Sequence, residues 1–145
     1  MAFSKQDILD ALPHREPFLF VEEILEVGEK YIKTAKNISP DEDYLRGHFP
    51  GFPVVPGVIV CETIFQTGAI LLARLGPAQA AKKLPVISRV GHVKLKQLVR
   101  PGDRLICHVD ITETIGEVFY LKGSASVSGK VVVTLDFACN LIDKR

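Results

Sequence analysis

Apolar residues crowd one stretch of the chain, Val58 to Leu75, which is too long for a strand and apolar almost all round. Its one carboxylate is Glu62, with Gln66 a turn further on and Arg74 near its end. That pattern predicts a long helix that other elements must wrap on most sides. A shorter helix is expected from Ser4, a good N-cap with Asp7 three residues on, to about Leu12, where Pro13 ends it. The other apolar runs are strand-like. Phe18 to Val27 and Tyr31 to Ile38 flank a hairpin break at Gly28-Glu29-Lys30. Downstream, Pro85 to Leu98, Asp103 to Thr112, Val118 to Val127 and Lys130 to Ile142 are parted by Arg100-Pro101-Gly102, the Gly116 region and Ser128-Gly129. The Ser-Gly break predicts a tight antiparallel turn, and Gly76-Pro77 marks the end of the long helix.

The expected order is therefore short helix, two strands, long helix, four strands. An α+β domain follows, one long buried helix wrapped by a six-stranded, mostly antiparallel sheet. Neither a repeat nor a linker interrupts it, so residues 1–145 are read as a single domain. A chain of this length buries roughly two-thirds of its unfolded surface.

Composition removes several classes of function. Lys and Arg number 18 against 17 Asp and Glu, so the basic footprint of a nucleic-acid binder is not expected. Cys61, Cys107 and Cys139 are odd in number and set among apolar residues, which fits buried free thiols in a reducing compartment. The N-terminal Met1 to Asp7 has no apolar signal core, so a cytoplasmic protein is the default. The Val58–Leu75 run is at the lower edge of spanning length. An ionised Glu62 in hydrocarbon would cost about 3 kcal/mol or more, and membrane insertion is not expected.

The chemistry concentrates just before that helix, in Gly47-His48-Phe49-Pro50-Gly51-Phe52-Pro53-Val54-Val55-Pro56-Gly57. Prolines restrict this loop and glycines permit unusual angles, a combination that holds one imidazole still. A structural histidine bonded to a carbonyl is the plain alternative for His48, and it is the reading adopted for His14, His92 and His108. Glu62 among apolar neighbours needs a partner. Either it is an acid/base group, with Gln66 within hydrogen-bond reach on the same face, or it sits in a buried ion pair with Arg89 or Lys94. At the helix start, backbone N–H groups near Gly57 should point out unpaired and favour developing negative charge, as on a thioester enolate. A base, an acid and an oxyanion donor together fit proton abstraction beside a carbonyl coupled to loss of a hydroxyl. No metal-ligand pattern competes.

The run from Gly47 through Phe49, Pro50, Gly51, Pro53, Val54, Pro56, Gly57 and Val58, followed by Glu62 and Gln66, resembles the (3R)-hydroxyacyl-[acyl-carrier-protein] dehydratases of type II fatty acid synthesis, the FabZ type. Leu12-Pro13-His14-Arg15 with Pro17-Phe18-Leu19 resembles that family's N-terminal signature, and Pro101-Gly102-Asp103 recurs in its later strands. The resemblance implies a hotdog fold and a hydro-lyase that needs no dissociable cofactor and no metal. It assigns His48 to the α-proton, Glu62 to the departing hydroxyl and the Gly57 amide to the thioester carbonyl, with Phe49, Pro50, Pro56 and Gln66 in support.

Its implied partners are acyl carrier protein and a second copy of the chain. The homodimer would share its active sites between protomers and assemble further into a trimer of dimers. The carrier is acidic, so a basic rim is expected, with Lys94, Lys96, Arg100 and Arg104 as candidates. Glutamate rather than aspartate at position 62 favours a dehydratase over a dehydratase/isomerase. Phe52 departs from the family pattern, which more commonly has a polar or basic residue there. The rival readings are an acyl-CoA thioesterase on the same fold and a non-catalytic acyl-thioester binding module.

Overall fold

The computed structural model describes residues 2–75 and 83–143. The predicted Gly76-Pro77 helix stop lies outside them. The elements are α1 (Lys5–Ala11), β1 (Glu23–Val27), β2 (Tyr31–Asn37), a 3-10 helix (Asp43–Arg46), α2 (Gly57–Leu75), β3 (Lys83–Leu95), β4 (Arg104–Ile115), β5 (Val118–Val127) and β6 (Lys130–Asp143). Six strands form one sheet in the order β1-β2-β4-β5-β6-β3, with every neighbouring pair antiparallel. The sheet wraps α2, which is the hotdog arrangement.

Local chemistry explains the boundaries. Ser4 caps α1 in a full capping box with Asp7: the Ser4 hydroxyl accepts from the Asp7 amide, and the Asp7 carboxylate accepts from the Ser4 amide. At the β5–β6 hairpin, Ser128 (φ 51°) and Gly129 (φ 80°) both lie in the left-handed region that a two-residue type I′ turn requires.

β3 ends at Leu95, short of the expected Leu98, and β4 runs on to Ile115, past the expected Thr112; the largest difference from expectation is at the start of β1. The strand predicted from Phe18 begins only at Glu23. The side chain of Gln66 on α2 accepts from the Phe20 amide at 2.9 Å and donates to the Phe18 carbonyl at 3.0 Å, taking backbone groups that a neighbouring strand would otherwise use. The link to β2 starts two residues later, where the Glu22 amide donates to the Ala35 carbonyl.

The core lies between α2 and the concave sheet face. Val60, Ile64, Ile70 and Leu71 pack with Cys107, Val109, Leu121, Leu135 and Phe137, all essentially inaccessible. Two glycines set how close the helix comes. A Cβ on Gly123 of β5 would stand 2.3 Å from Ile64 Cγ2, and one on Gly68 of α2 would stand 2.7 Å from Phe137 Cζ. The apolar α2 is thus a core helix clasped by a sheet, and its length and hydropathy reflect that burial.

The two sheet edges differ. β1 is short and carries exposed Glu23 and Glu26, the charged edge that discourages further pairing. β3 is 13 residues long, and Ile87, Val90, Val93 and Leu95 on it are each at least 40% exposed.

Candidate active site

The loop between the 3-10 helix and α2 holds His48 by reciprocal bonds. The Phe49 and Phe52 amides donate to each other's carbonyls at 3.3 and 2.9 Å, and the Val54 amide donates to the His48 carbonyl at 3.2 Å. The loop is tied to the sheet side by the Val55 amide donating to the Val99 carbonyl. The His48 ring is half-buried, stacked on Phe49 at 4.1 Å between centroids, and its Nδ1 lies 2.9 Å from the Val54 carbonyl oxygen. A carbonyl only accepts, so Nδ1 donates and carries the proton. The neutral ring then has its lone pair on Nε2. The carbonyl-bonded arrangement set out above as the plain alternative is therefore present, and it also fixes the tautomer a general base needs.

At the start of α2, Ile59 and Val60 donate to the Pro56 carbonyl, leaving the Gly57 and Val58 amides as first-turn donors. A Cβ added at Gly57 would stand 2.9 Å from Leu95 Cδ1, the tip of an exposed side chain, and glycine keeps the helix start free of a side chain of its own.

Glu62 sits on the first turns of α2, with its side chain about a quarter exposed. Its Oε2 accepts from Gln66 Nε2 at 3.1 Å. Neither Arg89 nor Lys94 is its partner, because both lie exposed on β3. The ion-pair partner is instead His14, whose Nε2 lies 3.7 Å from the same Oε2. Sequence reasoning had given His14 a purely structural role, although the proline-flanked run around it was the available signal. Burial depresses the His14 pKa, and the charge of Glu62 opposes that shift.

Among the described residues no hydrogen bond or ion pair joins His48 to Glu62 within the protomer. The rest of the predicted set divides. Phe49 and Pro50 are exposed beside His48, Pro56 is half-buried at the helix start, and Gln66 is 1% exposed. Among the rim candidates, Arg100 lies over the Phe52 ring at 5.6 Å, and Lys94 and Lys96 are exposed near Leu95. Arg104 instead turns to Glu23 and Asn37. The three cysteines are buried free thiols. Burial pushes Cys61 up, and Cys107 and Cys139 each up to about 12.

A family model described as the FabA-like domain matches residues 12–136. The 3-hydroxyacyl-[acyl-carrier-protein] dehydratase FabZ of Petrotoga mobilis is 38% identical over 126 residues, covering 87% of this chain and 88% of the relative. The chain belongs to the FabZ family. The FabZ of Lawsonia intracellularis is 40% identical over 142 residues, 97% of this chain and 93% of that one. Among solved structures, a chain of the dehydratase heterocomplex ApeI:P from Xenorhabdus doucetiae superposes with a TM-score of 0.81 at 18% identity, over 94% of this chain and 91% of that one. A hypothetical thioesterase with coenzyme A from Streptococcus pneumoniae gives a TM-score of 0.65 at 11% identity, over 85% and 90%. At those identities the likeness concerns the hotdog fold. The FabZ relatives, by contrast, align along nearly the whole chain.

Proposed function

We propose that this FabZ-family protein dehydrates (3R)-hydroxyacyl-[acyl-carrier-protein] to trans-2-enoyl-[acyl-carrier-protein] in fatty acid biosynthesis. The observation that carries the reading is the fixed His48 tautomer beside the open N-terminus of α2. His48 Nε2 takes the proton from C2, and the electron pair of that C–H bond forms the C2–C3 double bond as the C3–O bond breaks. The negative charge that develops on the thioester oxygen meets the Gly57 amide and the positive end of the α2 dipole. Glu62 gives its proton to the departing hydroxyl, which leaves as water. The products are the enoyl thioester and water, and the proton gained by His48 returns through solvent to Glu62. Proton transfers suffice, so we assign no dissociable cofactor.

His48 and Glu62 are held separately within one protomer, and this supports a site completed by a second copy. The long β3 edge, with Ile87, Val90, Val93 and Leu95 exposed, is the surface suited to that copy. We assign the protein a homodimer built on this edge, with dimers assembling further into a trimer of dimers. The carrier protein docks near the exposed Phe49 and Phe52, where Arg100 lies over the Phe52 ring and supplies positive charge, and we assign the exposed Lys94 and Lys96 to the same basic rim. The reaction belongs in the cytoplasm.

Mixing protomers tests the shared site. His48→Ala and Glu62→Ala homodimers should each be inactive, and heterodimers formed from both should regain one intact site and a substantial part of the activity. Verified heterodimers with no recovery would contradict a site shared between protomers.

A further inference from the structure

We propose that His14 is the positioning residue for the Glu62 carboxyl. Among the described residues the polar partners of Glu62 are Gln66 Nε2 at 3.1 Å and His14 Nε2 at 3.7 Å, and both meet Oε2. Oε1 is then the oxygen left to face the reacting hydroxyl. The inference rests on the reading of Glu62 as the group that handles that hydroxyl.

The state of His14 follows from its surroundings. Among the described residues its buried Nδ1 has no hydrogen-bond partner. A buried N–H donor left unpaired is the costlier arrangement, so Nδ1 keeps the lone pair and the proton sits on Nε2, facing Oε2 of the Glu62 carboxyl, while Oε1 is the oxygen that exchanges the catalytic proton. Burial shifts the imidazole towards its neutral form, against the opposing pull of Glu62, and the neutral ring presents an N–H dipole. At 3.7 Å the contact is longer than a hydrogen bond, as catalytic contacts often are before substrate draws them together.

The rest of the segment holds the ring there. The Arg15 guanidinium donates to the Leu9, Leu12 and His14 carbonyls at 3.1, 2.7 and 2.7 Å, pinning the backbone on both sides of the imidazole. Phe18 stacks over the ring, with centroids 6.1 Å apart, and its own carbonyl is held by Gln66. The titratable groups around His14 are Glu62 on α2, Arg15 and Glu16 alongside it, and Tyr44 of the 3-10 helix behind Phe20. Glu62 is the acid that faces it.

The test compares His14→Asn and His14→Gln in the hydration of a trans-2-enoyl thioester on acyl carrier protein, with Glu62→Gln alongside. Glutamine carries an N–H about as far out as the imidazole Nε2, whereas asparagine stops near the Nδ1 position. Loss of a correctly placed carboxyl costs on the order of 10- to 100-fold. His14→Asn should therefore lower kcat by roughly that factor with KM little changed. His14→Gln should recover most of the lost rate, and adding His14→Asn to Glu62→Gln should cause no further loss.

A His14→Asn enzyme with wild-type kcat, or with a loss carried by KM alone, overturns the assignment while an inactive Glu62→Gln leaves the site reading intact. Full turnover by Glu62→Gln would instead overturn that site reading, and this inference with it. Should His14→Asn fail to fold, a folded His14→Gln enzyme decides the matter. A kcat near wild type supports the assignment, and one as low as that of Glu62→Gln overturns it.

Discussion

Gln66→Leu is the substitution in which fold and site are most tightly coupled. Leucine matches glutamine in volume closely enough to fill the same space, so packing is largely kept and polar satisfaction is what changes. Gln66 is 1% exposed and makes three hydrogen bonds, accepting from the Phe20 amide and donating to the Phe18 carbonyl and to Glu62 Oε2. Phe20 is itself only 4% exposed, so its amide would be left buried and unpaired at about 1–3 kcal/mol. Phe18 is 47% exposed, and water near its carbonyl reduces that second loss to about 1 kcal/mol or less. The greater apolarity of leucine returns part of this, leaving a net destabilisation of about 2 kcal/mol.

Urea denaturation at fixed protein concentration would measure it. With a slope of about 2 kcal/mol per molar, the midpoint should fall by about 1 M. The folded variant should also lose turnover, because Glu62 is released from one of its two tethers. A midpoint within about 0.2 M of wild type would refute the claim that Gln66 substitutes for a strand neighbour along Phe18 to Phe20.

Two further outcomes follow from the same geometry. Gly123→Ala should destabilise by about 1–3 kcal/mol, seen as a lower midpoint in the same assay, because the new methyl meets the buried Ile64 at 2.3 Å; an unchanged midpoint would show that α2 can lift off the sheet at no cost. For His14 the folded pKa is depressed, so the native state binds fewer protons than the unfolded chain just below the ordinary histidine value of about 6.5. Its contribution to stability is complete above that pH and is lost as the pH falls towards the lower folded value, so His14→Gln should lose less stability than wild type between pH 7.5 and 5.5. Equal losses in the two proteins would contradict a depressed pKa at the half-buried His14.

Local chemistry made much of this legible. Ser4 with Asp7, the Ser128-Gly129 turn and the apolar run ending at Leu75 each state their element within a few residues, and β5 falls where its apolar pattern places it. What escaped depends on contacts between distant segments. Phe18 to Glu22 has the composition of a strand, but the side chain of Gln66 takes its backbone bonds, and no local pattern reveals that.

The same limit applied to Glu62. Its need for a partner was evident from its apolar neighbours, yet the partner lies before β1, whereas Arg89 and Lys94 stay in solvent on β3. His48 was legible because its constraint is written into the adjacent prolines and glycines, and the Val54 carbonyl that fixes its tautomer belongs to the same loop. Arg104 looked like a free basic residue until the sheet brought Glu23 and Asn37 beside it.

The most direct test of the catalytic account follows the loss of enoyl absorbance when the purified protein is given a trans-2-enoyl thioester on acyl carrier protein, beside a folded His48→Ala control. The account predicts hydration by the wild-type protein and at least a 100-fold slower rate in the control, in line with the roughly 10²- to 10⁴-fold contribution of a positioned acid/base group. Equal rates in the two proteins, or no hydration by a folded wild-type sample, would contradict it.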